Sequence, residues 1–259
     1  MKNKKIRKII KRKNKSPIVC LTAYSKKIAE ILDKYCDIIL VGDSLGMVLY
    51  GMESTREVTL DMIINHAKGV KKGISKSVLV IDMPYQTYRN KKEAYKNAKK
   101  IIKLTECDAL KLEGGKKITN VVKYLIKKKI PIMGHIGLLP QSERGRFKFK
   151  GRSSFERKRI IEDARLLSKV GVFAIVIECV EESLAQVISK SIPVPTIGIG
   201  ASKHCDGQIL VTDDLLGLSN FKPRFIRKYS NIKKIINKSV LKFRHDVINK
   251  NFPSKKNIY

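Results

Sequence analysis

The sequence predicts an α/β protein built as a (β/α)8 barrel, the TIM-barrel fold, and three observations support this. Short apolar runs rich in Ile and Val alternate with longer segments in which lysines recur at helical spacing. The runs lack polar alternation, which is typical of strands buried on both faces of a parallel sheet. Eight such runs within about 200 residues match the barrel in number and length. A doubly wound sheet is the alternative, but Leu21-Thr22-Ala23-Tyr24 is not the glycine-rich turn that usually follows its first strand.

The predicted elements follow one another along most of the chain. The strands cover residues 18–22, 38–41, 77–81, 109–112, 132–134, 174–177, 196–199 and 209–211. The helices between them cover residues 26–35, 60–72, 91–105, 118–128, 154–170 and 184–189. Residues 1–15 hold nine Lys or Arg and no acidic residue, so we expect a solvated basic N-terminal arm. A single barrel domain over 16–259, ending in a helical tail, is expected to follow.

Composition limits the classes of function. The chain of 259 residues has 55 Lys and Arg against 23 Asp and Glu, a formal net charge of +32. The excess is mostly lysine spread along the chain, without the interleaved arginines and aromatics of nucleic-acid readers, so we interpret it as a property of the outer helix faces. No apolar run reaches the roughly 18 residues of a membrane span, which excludes an integral membrane protein. Five scattered cysteines predict neither a disulfide framework nor a zinc cluster, and they favour a reducing, cytoplasmic compartment.

Ionisable side chains follow five successive predicted strands at the points where those strands end. In strand order they are Asp43, Asp82, Lys111 with Glu113, His135, and Glu178. A single carboxylate after a strand is commonly a helix cap. In a barrel, however, the carboxyl ends of the strands meet on one rim, where such enzymes place their chemistry. Five groups in succession therefore favour a shared site.

The residue types at these strand ends indicate enolate chemistry. Asp43, Asp82 and Glu113 are hard oxygen donors without a Cys or His cluster beside them, which favours a magnesium-like ion. Lys111 and Glu113 are two residues apart on one strand and point to the same face, where an ammonium can bind a carboxylate or an enolate oxygen. Glu178 comes from a more distant strand and can act as a general base in a partly dry site. The set suits enolisation of a keto acid.

A series of motifs occurs in a fixed order over roughly residues 17–225. They are LTAY at 21–24, ILVGDSLGMV at 39–48, DMP at 82–84, KLEGG at 111–115, GHIGL at 134–138 with PQ at 140–141, EC at 178–179, PTIGIG at 195–200 and CDGQ at 205–208. This ordered set resembles the ketopantoate hydroxymethyltransferase family. The resemblance implies a barrel of the phosphoenolpyruvate/pyruvate-enzyme type that assembles as a homo-oligomer, with a decamer as one candidate.

The resemblance also implies a reaction and its partners. A hydroxymethyl group passes from 5,10-methylenetetrahydrofolate to 3-methyl-2-oxobutanoate, giving 2-dehydropantoate for pantothenate biosynthesis. Mg²⁺ is the implied cofactor, and the implied partners are the small keto acid and the folate, with no specific nucleic acid and no membrane. The implied location is the cytoplasm.

Residue by residue, the resemblance implies the following roles. Asp43 and Asp82 look like direct magnesium ligands, and Glu113 looks like a metal-site carboxylate that acts through water. Glu178 looks like the proton acceptor. His135 matches a histidine that lines the site, and a direct chemical role and a purely hydrogen-bonding role both stay open for it. The implied substrate contacts are Asp43, Ser44, Asp82, Lys111 and His135.

Two other functions stay open at this stage. One is a magnesium-dependent carbon–carbon lyase or mutase on the same barrel, because keto-acid enolates serve that chemistry too. The Cys-bearing catalytic loop typical of those enzymes is not found in this sequence. The other is a basic nucleic-acid-binding protein, whose binding would fall steeply with salt.

Some loop positions depart from the family pattern, namely Ser25, Leu139, Arg144, Glu181 and Ser202.

Overall fold

A closed barrel of eight parallel strands in sequence order is formed within residues 4–143, 148–219 and 223–259, the part of the chain that the structure, a computed structural model, describes. Each strand pairs in parallel with the next, and the last pairs with the first. The predicted (β/α)8 fold is therefore confirmed. The strands are β1 (Ile18–Thr22), β2 (Ile38–Val41), β3 (Val78–Asp82), β4 (Ala109–Glu113), β5 (Ile132–Gly137), β6 (Ala174–Glu178), β7 (Thr196–Ile199) and β8 (Gly207–Leu210).

The helices begin where the sequence supplies capping side chains. Thr59, Asn90 and Ser153 each accept a backbone N–H from the first turn of the helix that follows. No helix in the described residues has the length and apolar character needed to cross a membrane. The helices are α1 (Lys4–Ile10), α2 (Lys26–Leu32), α3 (Leu45–Leu49), α4 (Leu60–Lys71), α5 (Lys91–Thr105), α6 (Thr119–Lys127), α7 (Ser154–Val170), α8 (Glu182–Ser191), α9 (Thr212–Leu215) and α10 (Ile232–Ile248), with short 3-10 helices at Thr55–Glu57, Lys116–Ile118 and Lys255–Asn257.

The final strand begins earlier than predicted. β8 starts at residue 207 and not at 209, and Gly207 pairs with Ile18 of β1. A Cβ at Gly207 would collide with the Ile18 carbonyl oxygen, so glycine lets the two strands that close the barrel approach each other. Glycine carries no apolar side chain, which is why an apolar-run criterion misses it.

Alternation along the strands divides the apolar core into two layers. In β2, Ile39 and Val41 pack outward beneath the ring of helices, whereas Ile38 and Leu40 belong to a second cluster inside the barrel. The same parity in β3 puts Val80 inside the barrel. Side chains two residues further on therefore reach the carboxyl end of the interior, where the ionisable groups lie.

We expected the basic N-terminal arm to be solvated, but the structure shows part of it packed against the barrel. Residues 4–10 form α1, and its Ile6 and Ile9 are buried against the interior apolar cluster of the barrel. Lys13, further along the same segment, forms a partly buried ion pair with Asp206 at 2.8 Å. The arm is held because isoleucines three residues apart give its basic helix one apolar face. Residues 1–3 lie outside the described part.

Contacts within the chain divide it into two compact units, Met1–Val211 and Thr212–Tyr259. The first unit contains the whole barrel. The second contains α9 and α10, and no residue of α10 is buried. Within this unit, Tyr229 N–H donates to the Leu215 carbonyl at 2.9 Å. The domain bounds 1–15 and 16–259 stay a prediction, while the helical character expected of the tail agrees with α10.

Asp33, which follows α2, ties that helix to the segment before β3. Its buried carboxylate accepts hydrogen bonds from the backbone N–H groups of Ser75, Lys76 and Ser77 and from the Ser75 hydroxyl, at 2.7–3.1 Å. Burial by itself raises the pKa of Asp33. The hydrogen bonds from Ser77, Ser75 and Lys76 outweigh it and hold the pKa well below its usual value.

We expect Asp33→Asn to lower the free energy of unfolding by about 2–3 kcal/mol at neutral pH, because backbone donors lose a charged acceptor. The depressed pKa means that the contribution of Asp33 is complete above the unfolded carboxyl pKa of about 4 and is lost as pH falls toward the folded value. Urea denaturation should therefore show a constant gap between wild type and variant above about pH 5 and a narrowing gap below about pH 4.

The matched control is Asp61→Asn, which removes an exposed carboxylate whose partner is the surface residue Lys100. It should change the free energy of unfolding by less than about 1 kcal/mol. A gap for Asp33→Asn that stayed the same down to pH 3 would contradict the proposed role of its charge.

Candidate active site

Four strands bring their last interior-facing side chains together at the carboxyl end of the barrel, which we call the rim. Strand register aligns Asp82 of β3 with Lys111 of β4, and Glu113 of β4 with His135 of β5. Glu178 ends β6 and lies beside Gly137 of β5. Together with Asp43, which follows β2, these residues form what we call the charged cluster: Asp43, Asp82, Lys111, Glu113, His135 and Glu178.

Lys111 is the ammonium at the centre of the charged cluster. Its Nζ atom lies 3.0 Å from Asp82 Oδ1, 3.9 Å from Glu113 Oε1 and 3.3 Å from His135 Nδ1. Burial by itself lowers the pKa of Lys111. The carboxylates of Asp82, Glu113 and Asp43 outweigh it and hold the pKa above its usual value, so this buried ammonium stays charged.

His135 connects two carboxylates of the cluster. Its Nδ1 lies 3.3 Å from Glu113 Oε1, and its Nε2 lies 3.2 Å from Glu178 Oε2. Burial and Lys111 lower the pKa of His135, but Glu113 and Glu178 outweigh them and raise it to about 9. Each ring nitrogen therefore lies near a carboxylate, although the Nε2 contact is not a well-directed hydrogen bond, and the imidazolium form is favoured at neutral pH.

The carboxylates outnumber the fixed cations around them. Asp43, Asp82 and Glu113 are all buried, and burial raises the pKa of the two aspartates. For Asp43 the neighbouring charges of Asp82 and Glu113 raise the pKa further. Glu113 differs, because its contacts with His135 and Lys111 outweigh burial and lower its pKa. The two aspartates thus form a site in which an added cation relieves repulsion between like charges.

The donor set at the aspartates fits a hard divalent cation. Asp43 N–H donates to Asp82 Oδ2 at 3.1 Å, which fixes one carboxylate against the backbone of the other residue. Asp82 Oδ1 is buried, and within the described residues it has the ion pair with Lys111 but no well-directed hydrogen bond. No group of three or more His, Cys, Asp or Glu in the described residues is arranged around one point. Proteins commonly bind Mg²⁺ through one or two carboxylates, and water and substrate fill the remaining coordination positions.

Ser44 lies on the same side of the rim as the aspartates. A Cβ at Gly42 would lie 3.0 Å from Ser44 Oγ and 3.4 Å from Asp82 Oδ2, so the glycine leaves room between these two oxygens. Tyr24, which follows β1, holds Ser44 Oγ with its hydroxyl at 2.7 Å. All the residues predicted from sequence are thus found at the rim, and their individual roles stay predictions.

Sequence reasoning assigned no role to Gln141, although the motif at 140–141 contains it. Its buried side-chain amide donates to Asp43 Oδ2 at 2.7 Å and to the Met83 carbonyl at 3.0 Å. Its backbone N–H donates to Glu113 Oε2 at 3.0 Å, and its Oε1 accepts from the Tyr88 hydroxyl at 2.5 Å. One neutral residue therefore fixes carboxylates from two strands.

Three of the five positions that depart from the family pattern accept backbone N–H groups close by in the chain. Ser25 and Glu181 accept backbone N–H groups in the first turns of α2 and α8. Glu181 also pairs with Arg157 at 2.7 Å, and hydrogen bonds from Ser183 and from Arg157 lower its pKa to about 2. Ser202 Oγ accepts the His204 N–H at 3.1 Å. Arg144 lies outside the described residues.

Comparison with known proteins identifies the family of this site. The sequence model described as ketopantoate hydroxymethyltransferase matches residues 3–255. The chain belongs to the ketopantoate hydroxymethyltransferase family. It is 62% identical over 257 residues to the 3-methyl-2-oxobutanoate hydroxymethyltransferase of Pelagibacter ubique (strain HTCC1062), covering 99% of this chain and 100% of the relative. It is 48% identical over 254 residues to the protein of that name from Phenylobacterium zucineum (strain HLK1), covering 97% and 92%.

Solved structures with a similar fold are more distant in sequence. A phosphonopyruvate hydrolase has a TM-score of 0.65 at 10% identity, covering 97% of this chain and 92% of that one. A phosphonopyruvate hydrolase complex with oxalate and Mg²⁺ has a TM-score of 0.64 at 9% identity, covering 98% and 93%. The 2,3-dimethylmalate lyase, a member of the PEP mutase/isocitrate lyase superfamily, has a TM-score of 0.62 at 10% identity, covering 98% and 87%. These likenesses agree with the (β/α)8 barrel fold of this chain.

Membership in the ketopantoate hydroxymethyltransferase family decides among the functions that the sequence left open. The chain is a hydroxymethyltransferase, an enzyme of small molecules, and the lyase or mutase and the nucleic-acid binder are not supported. The high positive charge therefore does not define the function. The spread of lysines along the sequence had already indicated this.

We expect Gln141→Ala to lower transferase activity about tenfold or more, the usual effect of removing a residue that orients a ligand carboxylate. It should also lower the free energy of unfolding by about 1–3 kcal/mol, because the Tyr88 hydroxyl and the Met83 carbonyl lose a buried partner. Steady-state turnover and urea denaturation measure the two effects.

The matched control is Asn97→Ala, which removes an amide that donates to the Thr87 carbonyl at 2.7 Å and for which no hydrogen bond to a carboxylate is found in the described residues. It should lower stability without the loss of activity. Equal activity in the two variants would show that Gln141 does not position the carboxylates.

Proposed function

We propose that this hydroxymethyltransferase uses 3-methyl-2-oxobutanoate as acceptor and 5,10-methylenetetrahydrofolate as donor, giving 2-dehydropantoate for pantothenate biosynthesis. The observation that carries the proposal is the continuous line of contacts from Asp82 through Lys111, Glu113 and His135 to Glu178. It joins a carboxylate site for a cation, a charged ammonium and a separate carboxylate on one rim. The names of the relatives support the choice of keto acid.

Mg²⁺ would be held by Asp43 and Asp82, with Glu113 acting through water. When bound, the ion would polarise the keto acid and stabilise negative charge on its oxygens. The orientation of Asp43 by Gln141 leaves its other oxygen for a ligand. Lys111 stays beside Asp82 and neutralises part of the local negative charge.

Lys111 and Ser44 are proposed to hold the acceptor. The ammonium of Lys111 remains charged inside the barrel, so it attracts the carboxylate of the keto acid and the oxygen that becomes negative after proton removal. The hydroxyl of Ser44, oriented by Tyr24, donates or accepts a further hydrogen bond at the rim. Together with Asp43, Asp82 and His135 these are the proposed substrate contacts.

Glu178 is proposed as the base. Its side chain is 17% exposed, whereas Glu113, which contacts the other ring nitrogen of His135, is 2% exposed, so the reacting carboxylate is the one that an incoming substrate reaches. Glu178 takes the proton from C3, and the electrons of that C–H bond pass into the keto acid. C3 then forms a bond to the methylene carbon, and the two bonds from that carbon to the folate nitrogens break in turn. Water supplies the hydroxyl group, and the proton from C3 and one proton of the water end on the two nitrogens. His135 orients Glu178 through its contact at 3.2 Å.

A homo-oligomer, with a decamer as one candidate size, is proposed on the basis of α10. One face of this helix is apolar and lies exposed in the single chain, which is unusual for a helix that has no further partner. The residues of this face are Ile236, Val240, Phe243 and Val247, each 46–59% exposed. A second copy is the occupant that the family expectation supports. A cytoplasmic location is proposed because all five cysteines are free.

The chemistry is tested with two variants that separate binding from proton removal. Glu178→Gln should bind the keto acid in a magnesium-dependent manner like wild type, but exchange its C3 proton with solvent at least about a hundredfold more slowly, because the general base is lost. Asp82→Ala should lose the magnesium-dependent binding itself. Calorimetry with Mg²⁺ or with EDTA measures binding, and NMR in D₂O measures exchange.

Each variant serves as the control for the other. Undiminished exchange in Glu178→Gln would move the base to another residue. Unchanged magnesium-dependent affinity in Asp82→Ala would remove that residue from the ligand set.

The oligomer is tested by light scattering after size-exclusion chromatography. Wild type should have a mass that is a multiple of the chain mass of 29.4 kDa. Val240→Asp should shift the mass downward, because it puts a charge into the apolar face. Lys238→Asp, on the opposite side of α10, should keep the wild-type mass. A monomeric wild type would refute the proposal.

A further inference from the structure

A pocket in the segment between β5 and α7 has no part in the chemistry described so far. It follows β5 and is lined by Lys148, Phe149, Lys150, Arg152 and Glu156, and we call it the rim pocket. Its volume of about 530 Å³ lies within the range of small-molecule sites. An aromatic ring among basic side chains suits a ligand with an aromatic part and anionic groups.

Backbone contacts tie the rim pocket to the proposed base. Lys150 N–H donates to the Cys179 carbonyl at 2.7 Å, and Glu181 N–H donates to the Lys150 carbonyl at 2.9 Å. Cys179 directly follows Glu178. Because consecutive Cα atoms are about 3.8 Å apart, the backbone from Lys148 to Arg152 lies within roughly 20 Å of Glu178. A ligand that extends away from the reacting centre past Cys179 therefore meets this pocket.

Not all charges of the rim pocket are available to a ligand. Lys150 pairs with Glu143 at 2.6 Å, and Glu156 accepts the backbone N–H groups of Gly151 and Arg152 at 2.6 and 3.2 Å. Lys148 and Arg152 are both exposed and have no carboxylate partner within the described residues. These two cations are the ones that a ligand finds unneutralised.

Phe149 supplies the apolar part of the rim pocket. Its side chain is 52% exposed, and the guanidinium of Arg152 lies 4.9 Å from the ring centroid. Stacking holds the guanidinium near the ring, so its charge is presented at a defined place with less loss of side-chain freedom on binding.

We propose that the rim pocket binds the glutamate tail of the folate donor, with Lys148 and Arg152 contacting its carboxylates and Phe149 contacting the adjoining aminobenzoyl ring. This inference rests on the proposed function, which makes a folate the donor. The donor consists of a pteridine, an aminobenzoyl group and one or more glutamates, so its reactive and anionic ends are separated. The reactive end of the donor would lie at the charged cluster, and its anionic end would lie in the rim pocket.

The experiment compares tetrahydrofolate carrying one glutamate with tetrahydrofolate carrying five. Wild type should bind the second about tenfold more tightly, the amount expected from two exposed ion pairs, and the preference should fade as salt is raised. The double variant Lys148→Ala with Arg152→Ala should lose the preference. Titration calorimetry of both folates gives the ratio of dissociation constants for each protein.

The matched control removes the same charge elsewhere. Lys127 and Lys169 are exposed and close the ends of α6 and α7, at the opposite end of the barrel from the rim. Changing both to Ala should leave the preference for five glutamates intact. Thermal unfolding and keto-acid binding verify that the double variants are folded.

Three outcomes are distinguished. Loss of the preference in the Lys148 and Arg152 variant alone supports the inference. An unchanged preference in that variant, with turnover of the methylene donor by wild type, overturns the inference and leaves the proposed function standing. A folded wild type that neither binds the folate with one glutamate nor turns over its methylene form overturns both.

Discussion

The rest of the site depends on one electrostatic constraint, an excess of buried carboxylate around a single ammonium. Asp43, Asp82 and Glu113 are removed from water at the end of a barrel, and Lys111 contacts two of them directly. Desolvation makes such groups costly unless they are paired and hydrogen-bonded. Contacts with neighbouring groups offset this cost of desolvation. His135 supplies a second positive charge, and a backbone N–H group supports Asp82.

The barrel meets this constraint by separating an apolar layer from a charged one. Val80 and Asp82 are neighbours on the interior face of β3, so one strand passes from core to site within two residues. At the amino end, Ile6 of α1 closes the same interior with an apolar side chain. The charged layer is thus held on rigid strands at the rim, which is the preorganisation that electrostatic stabilisation of a reaction requires.

Strand-end chemistry is predictable from sequence because strands alternate with a period of two and parallel strands end together. That reasoning predicted that Lys111 and Glu113 point to the same face of β4, and in the structure both side chains point to the barrel interior. It did not anticipate Gln141, because a neutral amide reveals its partners only when loops from distant strands meet. It also misread α1, because a basic composition hid two isoleucines whose burial depends on the open end of a barrel formed later in the chain.

The positions of the acidic residues explain how the net charge of +32 is distributed over the molecule. Several of the scarce acidic residues are engaged in holding structure, as Asp33 is before β3, Asp206 beside Lys13 and Glu181 at the start of α8. The outer surface is left with unneutralised lysine, which attracts any anion with little selectivity. Selectivity requires a cation held beside the reacting groups. Arg152, stacked on Phe149 in a segment hydrogen-bonded to the residue after Glu178, is the cation that we propose for this role.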